Sequence, residues 1–576
     1  MPADELQRSE RKLVPVPSSP DPAPPEEGRR PEHPPMTQIS VLADAIGARV
    51  EIVNAAAGED AARAAAITGI DLRAQGIRPG DVFAALPGAR AHGASYAGTA
   101  LERGAVAVLT DEAGRDLVAE ATSDSVAVLV HPEPRVALGA ASATVYGHPS
   151  RSMQVIGITG TSGKTTTSYL VEAGLVAAGR VVGLVGTVET RIEGIRVPST
   201  LTTPEAPQLH ALFAVMRERG VDTVVMEVSS HALALGRVDA TEFAVGGFTN
   251  LSQDHLDFHK DLDDYFGAKA RLFAEDSPVR ARRAVVCTDD VWGRRMAEVA
   301  RAGRDDATAV RTVTTGGDGD AAGAAADWTV TDEVPEETGV QQFTLTGPDG
   351  IARRATVGLP GRYNVTNAAL AVALCAEVGA DIDAAIRGIA DVAVPGRVER
   401  VERGQDFLAV VDYAHKPAAL EAVIGTLRAA TEGRIAVVVG AGGDRDRTKR
   451  PIMGEVAARA ADLVVVTDDN PRTESPAAIR AAVLDGAHSV PAAERGEILE
   501  IGDRAAAIDA AVAWARPGDV VLVAGKGHET GQEIDGVKHP FDDREVLGAA
   551  LDKYRTAGPD GDHPPAAGGS HHGGKA

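Results

Sequence analysis

The chain has 576 residues and a formal net charge of −24, and its length accommodates roughly three to five domains. The negative charge disfavours general binding of nucleic acids or anionic membranes. With only two cysteines, a disulfide framework and a Cys-rich zinc site are both excluded. No apolar run reaches the roughly 18 residues of a membrane-spanning helix, so the sequence predicts a cytoplasmic protein without membrane insertion.

Both termini have the composition of disordered segments. The first 36 residues hold ten of the 33 prolines and few apolar side chains, too few to offset the entropy lost on ordering. We therefore predict a disordered leader over residues 1–36, interpreted as a dispensable extension, and a disordered tail over 557–576.

Between the termini, short β-branched runs alternate with alanine-rich helical stretches, a pattern typical of parallel α/β sheets. One series of strands follows Met153 and a second follows Leu408, which predicts two separate doubly wound sheets. Hinges are predicted at Pro149–Met153 and Val392–Arg400.

A glycine-rich turn lies between a strand predicted over Met153–Gly160 and a helix predicted over Thr165–Gly179. Its glycines let backbone N–H groups point at phosphate oxygens, and the helix N-terminus adds positive potential. Lys164 is then placed to reach the phosphates and Thr165 to offer its hydroxyl to Mg²⁺. Ile158 stands where the strict Walker pattern has glycine. The motif predicts ATP binding by Gly160, Thr161, Ser162, Gly163, Lys164, Thr165 and Thr166.

Polar residues end two further predicted strands. Glu227 follows Thr223–Met226 at a position typical of a metal ligand beside a nucleotide; an ordinary strand-end glutamate is the alternative. His255 follows the strand predicted over Ala244–Thr249 and is either a second metal ligand or a capping or solvated histidine.

Together, four motifs of the middle region resemble the Mur ligase family of peptidoglycan synthesis: GTSGKTT, EVSSHALALGRV, FTNLSQDHLDFH and YFGAKARLF. The later motifs are most similar to the members that add diaminopimelate to UDP-N-acetylmuramoyl-L-alanyl-D-glutamate: PGRVER, VDYAHKP, GGDRDRTKR, DNPR and GKGHE. The resemblance spans Gln38 to Arg555.

The resemblance implies a three-domain α/β fold and an amide-forming reaction that converts ATP to ADP. A small α/β domain over 37–150 would bind the UDP-substrate, a P-loop domain over 151–394 would bind ATP, and a Rossmann-like domain over 395–556 would bind the amino acid. The γ-phosphoryl group of ATP would pass to the D-glutamate γ-carboxylate, and an amine of diaminopimelate would displace phosphate from that acyl phosphate. The chain is expected to act as a monomer.

By the same resemblance, the catalytic residues would be Lys164, Glu227, His255 and Lys269, and Mg²⁺ would be held by Thr165, Glu227, His255 and a carbamate on Lys269. Carbamylation (N6-carboxylysine) would turn the Lys269 cation into an anion that attracts Mg²⁺; a helix-surface lysine is the alternative. Asn364 and Arg397 would also face ATP, although helix packing explains Asn364 equally well.

The UDP-substrate would meet residues transferred by motif: Leu72, Thr202, Thr203, Ser229 and Arg237. Leu72 departs from the family pattern, because it stands where a uridine-binding serine is usual.

Diaminopimelate would be bound by residues of three C-terminal motifs: Arg445, Asp469, Asn470, Pro471, Arg472, Gly525 and Glu529. A guanidinium at Arg472 favours an acceptor with a distal carboxylate, since lysine would leave it without a counter-ion. A plain turn is the alternative interpretation of Asp469–Arg472. The base that deprotonates the attacking amine is not identifiable from the sequence.

Other function classes fit less well. Folylpolyglutamate synthase shares the ATP core, but it lacks the domain predicted ahead of Met153 and has no use for the DNPR motif. A regulatory GTPase would need an Asn-Lys-x-Asp motif, and the chain has no Asn-Lys pair. A catalytically inactive relative is disfavoured by the retained Lys164, Glu227 and Lys269.

Overall fold

The computed structural model describes residues 29–54, 59–88, 91–197, 201–316, 326–335 and 340–557. The first 28 residues of the predicted leader and residues 558–576 of the predicted tail lie outside these ranges. Within them, three α/β modules follow one another along the chain, which confirms the predicted architecture.

The N-terminal module is built on a five-stranded sheet of order β2-β7-β6-β5-β4, in which only β2 runs antiparallel to its neighbour. A two-stranded pairing of β1 with β3 lies beside it. Its elements are β1 (Thr37–Gln38), α1 (Ile39–Ile46), β2 (Arg49–Val53), α2 (Glu59–Ala64), β3 (Ala66–Ile67), β4 (Gly69–Asp71), β5 (Asp81–Ala84), α3 (Ala97–Glu102), β6 (Ala107–Thr110), α4 (Glu112–Ala121), β7 (Val126–Val130) and α5 (Pro134–Val145).

The central module contains an eleven-stranded sheet of order β11-β10-β9-β12-β8-β13-β14-β15-β16-β17-β18. Its elements are β8 (Gln154–Thr159), α6 (Lys164–Ala177), β9 (Val182–Val185), β10 (Thr190–Ile192), β11 (Ile195–Val197), α7 (Ala206–Glu218), β12 (Thr223–Glu227), α8 (Ser230–Ala234), β13 (Phe243–Phe248), α9 (Leu262–Ala270), β14 (Arg283–Cys287), α10 (Val291–Arg301), β15 (Val310–Thr314), β16 (Trp328–Pro335), β17 (Gln341–Thr346), β18 (Ala352–Val357), α11 (Arg362–Glu377) and α12 (Ile382–Ile389).

The C-terminal module has a six-stranded sheet of order β19-β20-β24-β21-β22-β23 and a separate β25–β26 hairpin. Its elements are β19 (Glu399–Arg400), β20 (Leu408–Asp412), α13 (Pro417–Ala429), β21 (Ile435–Val439), α14 (Lys449–Ala460), β22 (Leu463–Val466), α15 (Pro476–Ser489), β23 (Glu497–Glu500), α16 (Arg504–Trp514), β24 (Val520–Ala524), β25 (Gly531–Ile534), β26 (Val537–Pro540) and α17 (Asp543–Ala557).

The central strands of each sheet are parallel and buried on both faces because helices cover both sides. Strands such as Ile435–Val439 and Val520–Ala524 are continuous apolar runs in which every residue is buried, as expected for doubly covered parallel strands. Separate apolar clusters lie on the two faces of the central sheet. The carboxyl ends of the parallel strands therefore form the edges where polar side chains can collect.

The central sheet is parallel in its middle and antiparallel at both edges. β10 pairs antiparallel with β9 and with β11, and β17 pairs antiparallel with β16 and with β18. Residues of β17 alternate between buried and half-buried, which is the pattern of an antiparallel strand covered on one face.

The predicted disordered leader extends too far. Residues 29–36 lie within the described range, and the guanidinium of Arg30 pairs with the carboxylate of Asp81 at 2.6 Å. The backbone N–H groups of Glu32 and His33 each donate to the Glu218 carboxylate at 2.8 Å. Fixed partners on the N-terminal and central modules thus order the last eight residues of that segment.

Among the described residues, every helix is too short or too polar to cross a lipid bilayer.

Candidate active site

The glycine-rich turn connects β8 to α6, as the sequence predicts, and its backbone admits only glycine at two positions. Gly160 and Gly163 have φ values of +145° and +88°. A Cβ on Gly160 would lie 1.9 Å from the Thr249 hydroxyl oxygen, and one on Gly163 would lie 2.4 Å from the Asn367 side-chain oxygen. Asn367 therefore supports the turn from α11, a contact that spacing along the chain does not reveal.

Lys164 folds back over the turn. Its Nζ donates to the carbonyl oxygens of Gly160 and Thr161 at 3.0 and 3.1 Å. Burial, together with the nearby Lys416 charge, lowers the pKa of Lys164 to about 8. An incoming anion would favour the charged form of this amine and would offer it a stronger partner than two carbonyls.

Glu227, at the end of β12, is buried beside the start of α6. Its carboxylate accepts hydrogen bonds from the Thr165 hydroxyl at 3.0 Å and from the backbone and hydroxyl of Thr187 at 2.8 and 3.0 Å. A carboxylate and a hydroxyl in contact beside a phosphate-binding turn are hard oxygen donors of the kind Mg²⁺ prefers. These two residues therefore fit a magnesium ion that also takes ligands from substrate phosphates.

His255 contacts a different carboxylate. Its Nε2 lies 3.0 Å from Asp254 Oδ2, and that same oxygen pairs with Lys416 Nζ at 2.6 Å. Burial lowers the pKa of His255 to about 3, so the ring is neutral near pH 7. Within the described part of the chain, no three His, Cys, Asp or Glu side chains form a ready-made metal cluster.

Lys269, on α9, is buried against the glycine-rich turn, with 1% of its surface exposed. Its Nζ donates to the Gly160 carbonyl at 2.8 Å and lies 4.4 Å from the centre of the Tyr265 ring. Burial, together with the charges of Lys164 and Lys416, holds the pKa of Lys269 well below its usual value. Burial therefore favours the neutral, nucleophilic form of this amine.

Four residues predicted to bind the UDP-substrate cluster around the end of β12. The Thr203 hydroxyl donates to the Glu227 carbonyl at 2.8 Å and accepts from the Ser229 backbone at 3.1 Å. The Thr202 hydroxyl lies 3.1 Å from that of Thr187. Arg237 pairs with Glu205 at 2.7 Å.

Leu72, the fifth residue predicted to bind the UDP-substrate, lies in a separate cavity of about 260 Å³. The Thr202–Glu205 segment runs between this cavity and a larger one at the glycine-rich turn. Thr202 lines the larger cavity, whereas Pro204 and Glu205 line the cavity of Leu72.

The predicted diaminopimelate residues form a connected network in the C-terminal module. Asn470 donates to Glu529 at 2.9 Å and accepts from Lys526 at 2.8 Å. The backbone of Arg472 is left-handed, with φ +52°, and its Nη1 donates to the Gly443 carbonyl at 2.6 Å. Its Nε lies 3.3 Å from Glu533 Oε2. The guanidinium is thus directed inward, and its side chain is only 22% exposed.

Of the other residues in that predicted set, Asp469 and Gly525 adjoin this network, whereas Arg445 does not. A Cβ on Gly525 would lie 2.7 Å from Asp469 Oδ2, so glycine is required for this close approach. Burial and the neighbouring Asp469 raise the pKa of Glu529. Arg445 is exposed, and its charge is among those that lower the pKa of His231 in the central module.

The central and C-terminal modules meet across a cavity of about 540 Å³. Its lining from the central module includes the glycine-rich turn, Glu227, Asn364 and Asn367, and its lining from the C-terminal module includes Arg397 and Tyr413 to Lys416. The charged group of Arg397 lies 4.4 Å from the Tyr413 ring centre, and its Nη2 lies 3.4 Å from the Thr165 hydroxyl.

Tyr413 connects this cavity to the C-terminal network. Burial raises the pKa of the Tyr413 phenol, and the charges of Glu529, Asp469 and Glu227 raise it further. Carboxylates from both modules therefore act on one ring.

Family models match most of the described chain. The Mur ligase family catalytic domain model matches residues 66–146, the middle domain model matches 158–375, and the glutamate ligase domain model matches 396–527. A curated relative from Corynebacterium glutamicum, a UDP-N-acetylmuramoyl-L-alanyl-D-glutamate–2,6-diaminopimelate ligase, is 56% identical and aligns over 84% of this chain and 92% of its own length. This chain belongs to the Mur ligase family.

Other relatives extend the comparison. A ligase of the same name from Streptomyces coelicolor is 52% identical over 90% of this chain and 97% of its own length. A solved structure bearing that enzyme name is 31% identical, with a TM-score of 0.57 over 85% of this chain and 95% of the other. A MurF structure from Acinetobacter baumannii shares the fold at 17% identity, with a TM-score of 0.61 over 90% of this chain and 100% of the other.

Reasoning from the sequence missed three residues of this candidate site: Asp254, Lys526 and Glu533. Asp254 stands inside a quoted motif but was given no role, and its pairing with Lys416 of the C-terminal module has no signal in chain spacing. Lys526 lies in the GKGHE motif and donates to Asn470, far from it along the chain. Glu533 lies outside every quoted motif and reaches Arg472 from β25.

Proposed function

We propose that this Mur ligase joins 2,6-diaminopimelate to the D-glutamate γ-carboxylate of UDP-N-acetylmuramoyl-L-alanyl-D-glutamate, using ATP. The observation that supports this most directly is the cavity between modules, where the phosphate-binding turn and Glu227 face Arg397 and Lys416. An acceptor network lies beside it, because the ring of Tyr413, which lines the cavity, lies 5.1 Å from the ring of His528, the residue before Glu529. A phosphoryl donor, a carboxylate and an amine can meet in such an arrangement.

The reaction needs two anions to approach each other. The backbone amides of the turn and Lys164 bind the phosphates of ATP, and Arg397 and Lys416 add positive charge from the opposite wall. Phosphoryl transfer depends chiefly on such positioning and charge neutralisation. The γ-phosphoryl group then passes to the D-glutamate carboxylate, which releases ADP and leaves an acyl phosphate.

Thr165 and Glu227 are the residues we assign to Mg²⁺, and His255 and a carbamylated Lys269 complete the proposed set. When bound, the ion would neutralise charge on the transferred phosphoryl group. Lys269 supports this assignment because only a neutral amine adds to CO₂: the nitrogen lone pair forms the N–C bond, one proton is lost, and a carbamate anion remains. Burial lowers the pKa of Lys269 and so favours that neutral form.

Thr202, Thr203, Ser229 and Arg237 are proposed to hold the peptide end of the carrier next to Glu227, and Leu72 to line the site of its uridine end. Hydroxyls and a guanidinium suit carboxylate and amide groups. We also infer three functional domains over 37–150, 151–394 and 395–556, and a monomer that acts in the cytoplasm, where ATP is supplied.

In the acceptor site, Arg472 pairs with the distal carboxylate of diaminopimelate, and Glu529 and Asp469 receive its distal ammonium group. The free amine attacks the acyl phosphate carbon, phosphate leaves with the C–O bond electrons, and a proton is lost from nitrogen. Lysine lacks the carboxylate that Arg472 needs, and loss of such a charge-assisted contact costs about 2–5 kcal/mol.

Phosphate release tests the proposal. The purified chain is given ATP, Mg²⁺, the UDP-muramoyl dipeptide and either diaminopimelate or lysine. We expect release with diaminopimelate and at least about a thirtyfold lower kcat/KM with lysine, which corresponds to the lower end of that energy range. Equal turnover with both acceptors would remove the role given to Arg472.

A further inference from the structure

The last residues of the N-terminal leader bridge two modules. Arg30 pairs with Asp81 at 2.6 Å and with Asp71 at 3.4 Å, both in the N-terminal module. Two residues later, the Glu32 and His33 backbone N–H groups donate to Glu218 at the end of α7 in the central module. These anchors fix the chain on either side of Pro31 and so determine where Arg29 lies.

Arg29 lines the cavity of about 260 Å³ that also holds Leu72. The walls of this cavity come from both modules: Leu72 and Arg73 from the first, and Thr190, Val197 and Leu212 among others from the second. Mostly apolar walls with a few polar groups are the usual character of a small-molecule site.

Two polar groups of this cavity have no hydrogen-bond partner within the described part of the chain. One is the guanidinium of Arg29, whose Nε and Nη2 are both buried, and the other is the hydroxyl of Thr190. Thr190 is only 1% exposed. Leaving buried donors unpaired is unfavourable, and more so for a charged group. The Arg29 guanidinium can therefore donate hydrogen bonds to an oxygen acceptor that enters the cavity. The ion pairs of the neighbouring Arg30 hold this part of the chain in place.

We propose that Arg29 is a further substrate-binding residue, which donates hydrogen bonds to oxygen acceptors at the UDP end of the carrier. The inference rests on the proposed function for the identity of the carrier. It assigns a binding role to Arg29 in the leader. The leader would then be dispensable, as the sequence predicts, only over the residues before Arg29. The guanidinium suits this role because its planar fork can offer two N–H groups to one phosphate or to adjacent acceptors.

Calorimetric binding of UDP-N-acetylmuramoyl-L-alanyl-D-glutamate to the full chain tests the proposal. Arg29→Ala is expected to weaken binding about tenfold to a hundredfold, the range for a lost hydrogen bond to a charged group. Arg29→Lys keeps the positive charge but loses the planar guanidinium, so its affinity for the carrier should lie between those of the wild-type chain and Arg29→Ala. Arg49→Ala is the matched control, because Arg49 is an exposed arginine of the same module that pairs with surface glutamates.

Steady-state kinetics on the same variants separate the possible outcomes. We expect Arg29→Ala to raise KM for the carrier by a similar factor and to leave kcat and the KM values for ATP and diaminopimelate unchanged within twofold. Carrier binding by Arg29→Ala equal to that of the Arg49→Ala control would overturn the proposal, even if the ligase reaction is confirmed. Weakened binding in a chain that fails to ligate diaminopimelate would support Arg29 and contradict the proposed reaction instead.

Discussion

Lys269 shows how the surroundings of one side chain decide its chemistry. A lysine on a helix is usually a solvated cation, but here the amine is buried against the Gly160 carbonyl and the Tyr265 ring. Removing the ammonium from water and placing it near two other cations lowers its pKa. The resemblance suggested a modified lysine, and burial supplies a physical reason for its reactivity.

Carbonate depletion tests this residue. We expect turnover to fall when CO₂ is removed from the buffers and to recover on addition of bicarbonate, and we expect ¹³C-bicarbonate to give one carbamate resonance. Lys269→Ala should lose the resonance and at least about a hundredfold in kcat, whereas Lys260→Ala, at an exposed lysine nearby, should keep both. A Lys269→Ala variant with full activity would rule out the carbamate as a metal ligand.

Glu533 is a second residue whose role follows from one contact. Its carboxylate lies 3.3 Å from Arg472 Nε, where it competes with any acceptor carboxylate for the same guanidinium. Because the Glu533 side chain is 44% exposed, the pairing is worth only about 0.2–1 kcal/mol.

Glu533→Gln is therefore expected to lower KM for diaminopimelate by up to about fivefold and to leave lysine turnover unchanged. Kinetics with both acceptors measure this effect, and Glu497→Gln, at an exposed glutamate on β23, serves as the control. An increased KM for diaminopimelate in Glu533→Gln would mean that Glu533 supports the acceptor instead of competing with it.

At the scale of elements, the loop after β20 carries a contact from the C-terminal module to the central module. Lys416 reaches across the cavity to Asp254 at 2.6 Å, and both side chains are largely buried, with exposed fractions of 12% and 9%. Ion pairs this well shielded couple far more strongly than exposed ones.

A double-mutant cycle measures that coupling. Lys416→Met and Asp254→Asn should each lower the free energy of unfolding, and the double variant should lose at least about 1 kcal/mol less than the sum of the two. The exposed Arg459–Glu455 pair on α14, with fractions of 49% and 44%, should show coupling near zero in the same cycle. Strictly additive losses for Lys416 and Asp254 would contradict a role in joining the modules.

The elements also show what sequence reasoning can reach. The strand–turn–helix around Gly160 is predictable because an apolar run, glycines and a helical pattern follow one another within one short segment. The antiparallel edges of the central sheet, the support of Gly163 by Asn367 and the Lys416–Asp254 pair depend on how distant segments pack. The anchoring of Arg30 was missed for the same reason, since composition alone predicts disorder there.

Across the whole molecule, loss of solvent contact lowers the pKa of several histidines. Burial lowers the pKa of His210 to about 4, of His528 to about 4 and of His255 to about 3. Between those values and about 6.5, the unfolded chain binds protons that the folded chain does not, so stability falls as the pH falls through that window.

His210 gives a clean test of this linkage, because its ring lies fully inside the molecule beside Phe213. From pH 7.5 to 5.5, the wild-type chain should lose about 1 kcal/mol more stability than His210→Leu. Chemical unfolding at the two pH values measures the difference. His488→Leu, at an exposed position on α15, should retain the wild-type pH dependence, and an identical slope in His210→Leu would contradict the assignment.

In the proposed reaction, a carboxylate oxygen of the carrier attacks the terminal phosphorus of ATP in the cavity between modules. Isotope transfer measures this step directly, with a carrier whose D-glutamate γ-carboxylate carries ¹⁸O. We expect one ¹⁸O atom in each phosphate released in the presence of diaminopimelate, detected by mass spectrometry or by the shift of the ³¹P resonance. Phosphate that contains only solvent or ATP oxygen would contradict an acyl phosphate and, with it, the proposed mechanism.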